Sequence, residues 1–152
     1  MNETPSKLYK ITGTLAIIAG ATLSAFSAKT PSTFAMWATA YLVLVVGVAQ
    51  VFFGIAIVKI LPKNTTKLLY CFYALFNTGS ALVISSTALK YADYSDHMFM
   101  AVSGSALIIA ALSLLTWHMR HAKPSLLKLA TFVVLITLIV SVGIGLVLAT
   151  WH

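Results

Sequence analysis

Five long runs of this chain contain no charged residue: Ile11 to Ala28, Pro31 to Val58, Leu68 to Leu89, Met98 to Trp117 and Leu129 to Trp151. Each comes close to or exceeds the roughly 20 apolar residues that cross the hydrocarbon core of a bilayer. Peptide groups find no hydrogen-bond partner in lipid, so runs of this kind must close their bonds internally as helices. The short alternating strands of a β-barrel do not occur. The expected fold is therefore all-α, a polytopic bundle of five transmembrane helices. The expected helices cover about 8–28, 33–60, 67–90, 98–119 and 126–150, within one transmembrane domain spanning 1–152.

Composition agrees. Hydrophobic residues make up 60% of the chain and charged residues 9%, against about a quarter charged in soluble domains. The net charge of +7 does not point to nucleic acid, because the cations sit in short clusters between the apolar runs. Such clusters fix topology and touch anionic headgroups. Lys7, Lys10, Lys59, Lys63, Lys67, Arg120, Lys123 and Lys128 fall on one side, and only Lys29 and Lys90 on the other, with Asp93 and Asp96. Eight cations against two put the N-terminus in the cytoplasm and the C-terminus outside. Trp37, Tyr41, Tyr91, Tyr94, Trp117 and Trp151 lie near helix ends, where an interfacial aromatic belt belongs. The first run, with its basic start and small-residue end, also has the outline of a signal peptide. It is expected to persist as a helix or an uncleaved anchor. The sequons at Asn2 and Asn64 would then be cytoplasmic and unmodified. Short loops and a single cysteine, Cys71, point to a bacterial inner (cytoplasmic) membrane.

Small residues let helices approach closely in lipid. Thr12, Ala16, Gly20, Ser24 and Ala28 recur every four residues in the first helix, and Ser141, Gly145 and Ala149 in the fifth. Ala40, Gly47 and Gly54 recur every seven in the second, while Ser103, Ala106, Ala110 and Ser113 share one face of the fourth. These stripes are packing surfaces, either within the chain or toward another one. No internal repeat is visible.

Chemistry is scarce. Ionisable groups inside spans mark proton and ion paths, and here none lies at a helix centre. Glu3, Asp93 and Asp96, the three acids, fall outside the spans. This argues against carboxylate-coupled transport and against aspartyl or metal-dependent membrane enzymes. The main polar feature is a stripe on the third helix, Tyr70, Tyr73, Asn77, Ser80 and Thr87, which Gln50 of the second helix is placed to meet. It reads either as a lining for a small solute or ion, or as interhelical hydrogen bonds that hold the bundle together. His118 and His121, three apart, are weak metal candidates, since a site needs three or four ligands. Beside Arg120 and Lys123 they read as interfacial anchors. Ser85, Ser86 and Ser113 have no base within reach, so no catalytic residue is recognisable and no cofactor is expected.

Three functions follow, in order of preference. The first is a non-catalytic accessory, assembly or lipid- and partner-binding subunit, in a homo-oligomer or a larger membrane complex. The second is a homo-oligomeric channel or facilitator for a small solute or ion, which makes the chain a transport candidate. The third is a membrane enzyme or cofactor carrier using His118 and His121.

Overall fold

In a computed structural model, residues 3–62, 65–92, 94 and 97–150 are described, without the side chains of Val58, Gly145, Leu148, Ala149 and Thr150. Asn2, Lys63, Asn64, Asp93, Asp96 and Trp151 of the sequence reading lie outside the described residues. The described chain is all-helical, with five helices long and apolar enough to cross a membrane. They form two compact units, 1–59 and 60–152.

In the first unit, α1 (Glu3–Ser27) is followed by a rod in three parts: α2 (Thr33–Ala40), a π-helical stretch (Tyr41–Val48) and α3 (Ala49–Ile60). Ser32 starts this rod by accepting the Ala35 N–H at 3.1 Å, the usual capping role of serine. Pro62 cannot continue a helix, and α3 ends two residues before it. In the π stretch the backbone bonds reach one residue further than in an α-helix. Ala49 N–H closes it by donating to Leu44 O. α1 starts at Glu3 rather than near residue 8, because its polar first turns are packed. Ser6 Oγ donates to Gly54 O at 2.5 Å, and Tyr9 is only 1% exposed.

In the second unit, α4 (Thr66–Tyr91), α5 (His97–Met119) and α6 (Leu126–Thr150) follow one another through short connections. α4 packs on α5, and α5 on α6. Phe72, Phe76, Ile108, Leu112, Leu115 and Leu135 are fully buried. The opposite side of α6, with Val133, Ile136, Val140, Ile144 and Val147, is exposed. Apolar residues on an outer helix face have a natural solvent in lipid and a poor one in water.

Each unit contains a hairpin closed by two glycines. A Cβ at Gly13 would stand 2.7 Å from Gly47 O and 2.8 Å from Val51 Cγ2. A Cβ at Gly79 would stand 2.7 Å from Gly104 O and 2.8 Å from Ile108 Cγ1. In both hairpins the obstructing side chain is four residues past the facing glycine. Conversely, a Cβ on Gly47 meets Ile17 and one on Gly104 meets Val83, again four residues past the partner glycine. The two units thus share a packing node that the sequence reading missed. Its glycines are 34 residues apart in one hairpin (13 to 47) and 25 in the other (79 to 104), so no fixed period reveals it.

The small-residue stripes divide accordingly. Ala16, Gly20, Gly47 and Gly54 are buried, with Tyr9 and Gly13 completing the α1 face. Ser24, Ala28 and Ser141 are exposed, and the side-chain positions of Gly145 and Ala149 lie outside the description.

Candidate functional site

The polar stripe on α4 is arranged as a series of local bonds. Asn77 donates from Nδ2 to Tyr73 O at 2.8 Å, and Thr87 Oγ1 to Val83 O at 2.9 Å. Such bonds to the preceding turn engage a hydroxyl or amide hydrogen within the helix itself. Tyr70 is exposed, Tyr73, Asn77 and Thr87 are half-buried, and Ser80 is 3% exposed. The Ser80 hydroxyl has no hydrogen-bond partner among the described residues. Gln50 is fully buried and belongs to the first unit, whereas the stripe belongs to the second.

The three described histidines are tied to the backbone or to a neighbour, each separately. His97 Nδ1 lies 2.7 Å from Tyr94 O, and His118 Nδ1 lies 2.9 Å from Leu114 O. His121 Nε2 accepts from Arg120 Nε at 2.8 Å. Among the described residues no group of three His, Cys, Asp or Glu side chains can hold a metal.

Two features stand out instead, both on α5 and the turn after it. The first is the outward face of α5. Its buried face runs through Gly104, Ser105, Ile108, Ala111, Leu112, Leu115 and Met119. The stripe of Ser103, Ala106, Ala110 and Ser113 therefore points the other way, with Ser103 half-buried and the other three exposed. Phe99 (78% exposed) and Trp117 (59%) extend it at both ends. The full series, 99, 103, 106, 110, 113 and 117, alternates steps of four and three. This is the heptad spacing of two helices that coil around each other. Small side chains in the middle and aromatic ones at the ends leave a shallow trough along an exposed helix.

The second feature is the α5–α6 turn. Arg120 lies over the Trp117 ring, 3.3 Å from its centroid, a cation–π contact. Lys128, half-buried, donates from Nζ to Arg120 O at 3.0 Å and Ala122 O at 2.6 Å. It thereby caps carbonyls past the C-terminal end of α5, where a cation also suits the helix dipole. Ser125 caps α6 by accepting the Lys128 N–H at 3.1 Å. Neither the Arg120–Trp117 stack nor the role of Lys128 was read from the sequence. The i, i+3 spacing of Trp117 and Arg120 was the available signal.

Comparison with family models, with curated proteins and with solved structures finds no match.

Proposed function

We propose that this chain is an accessory or assembly subunit of a bacterial inner-membrane complex, with its N-terminus cytoplasmic and C-terminus outside. Its outward α5 face docks a transmembrane helix of another polypeptide. The observation that carries this reading is the exposed 4–3 stripe of Phe99, Ser103, Ala106, Ala110, Ser113 and Trp117. In lipid, burying apolar surface gives no net drive for association. Helices meet where small side chains allow close backbone approach and dense van der Waals contact. The glycines of α4 and α5 are already used inside the unit. A second small-residue face on the same helix, left uncovered, supports a partner outside the chain.

A photo-crosslinking residue at Ala110 in membranes is expected to give one discrete protein adduct. The pair Ala106→Leu and Ala110→Leu fills the trough and is expected to abolish that adduct and co-purification in mild detergent. The glycine node faces the other way, so the variant should keep its thermal stability. An adduct of twice the chain mass identifies the partner helix as a second copy. Adducts with lipid alone would refute the docking face.

A further inference from the structure

We propose that the α5–α6 turn is a binding site for the phosphate of an anionic phospholipid headgroup, with Arg120 and Lys123 as its cationic ligands. The site adjoins the docking face at Trp117 and requires only that α5 and α6 cross a bilayer.

Charge balance is the first argument. No acidic residue follows Asp96 in the sequence, so the segment holding Arg120, Lys123 and Lys128 contains no counter-ion of its own. Lys128 is committed to two backbone carbonyls, at 3.0 and 2.6 Å. Arg120 and Lys123 are exposed. Lys123 makes no hydrogen bond among the described residues. Arg120 uses Nε on His121, a bond that needs the lone pair of His121 Nε2. The terminal NH2 groups of its guanidinium keep the paired donor geometry that suits a phosphate.

Order is the second argument. The turn is held from both ends. Lys128 ties it to the end of α5, and Ser125 caps the start of α6. The Trp117 ring, 3.3 Å below the guanidinium carbon, fixes the height of Arg120. Tryptophan at a span end settles at headgroup level. A guanidinium stacked on it is therefore held at the depth of the lipid phosphates. Within α6, Lys128 Nζ also lies 5.8 Å from the Phe132 ring centroid.

The test is native mass spectrometry of the full chain in detergent with equimolar phosphatidylglycerol and phosphatidylcholine. Each cation near an anionic surface contributes about fivefold in affinity. With two such ligands the wild type should retain phosphatidylglycerol over phosphatidylcholine by about twenty-five-fold on that basis. Lys123→Gln alone should lower the preference by about fivefold, and Arg120→Gln with Lys123→Gln should abolish it. Helix content by circular dichroism should be unchanged in both. Lys59→Gln with Lys67→Gln, exposed cations at the end of α3 and the start of α4, should keep the preference. Equal retention of both lipids by the wild type would overturn the proposal. So would an equal loss in the Lys59/Lys67 variant, which would mean diffuse attraction. Displacement of the lipid by excess inorganic phosphate would overturn it too, because the occupant would then be a free anion.

Discussion

Gly79→Leu is expected to abolish the folded form of the second unit, and Gly13→Leu that of the first. At Gly79 even the first added carbon would stand 2.7 Å from the Gly104 carbonyl oxygen and 3.1 Å from Ile108 N. At Gly13 it would stand 2.7 Å from Gly47 O and 2.9 Å from Val51 N. The obstacles are backbone atoms, which cannot step aside as the tip of a side chain can. The helices would have to separate along their whole contact. Overpacking a core costs about 1–3 kcal/mol where side chains can adjust, and a helix pair forced apart should lose at least about 3 kcal/mol. Gly143→Leu is the matched control. Nothing lies within 4 Å of a Cβ there, so the same added bulk should be neutral within about 0.5 kcal/mol. Thermal melting of the three variants in detergent, read by size-exclusion recovery, checks the ranking. Equal melting of Gly79→Leu and wild type would refute the close glycine contact.

Ile136→Lys is expected to be nearly as damaging, for a different reason. Ile136 is 56% exposed and lies near the middle of α6. In water, replacing an exposed isoleucine by lysine changes stability by about 0.5 kcal/mol or less. At the centre of a membrane span, a lysine costs roughly 2.5–3.5 kcal/mol of insertion free energy. The same substitution is thus nearly neutral in one solvent and severe in the other. The insertion equilibrium constant of α6, read as the ratio of inserted to non-inserted chain, should fall by about a hundredfold at that cost. Lys at position 126, where Leu126 is 83% exposed at the start of α6, should be tolerated by snorkelling to the interface. Equal yields of Ile136→Lys and wild type would remove lipid as the solvent of α6.

The five helices were legible because apolar length is a coarse signal that tertiary packing does not alter. The start of α1 was not, since hydropathy sees only the greasy part of a helix. Tyr9 and Ser6 extend α1 because they are buried against its own unit, with Ser6 bonded to Gly54. Small-residue periodicity located Ala16, Gly20, Gly47 and Gly54 but placed the α1 face off Gly13, choosing Thr12 and Ser24 instead. The spacing of four drifts from the true helical face over several turns, and Tyr9, Gly13, Ala16 and Gly20 follow the mixed three–four step. The Ser103–Ser113 stripe was read correctly as one face, yet sequence carries no sign of which side of α5 looks outward. That is decided by Gly104, whose missing side chain admits Gly79. The α4 polar stripe was legible as composition, but the local bonds of Asn77 and Thr87 depend on rotamers that no spacing encodes.

The central claim, that the helices cross a bilayer in alternating directions, has a direct test in cysteine accessibility. Cys71 is the only cysteine and is exposed, so a Cys71→Ser background is needed. Lys29→Cys follows one span and Lys123→Cys follows four. In intact spheroplasts a membrane-impermeant maleimide should label Lys29→Cys at once, and Lys123→Cys only after the membrane is opened. Labelling of both from the same side would contradict the account.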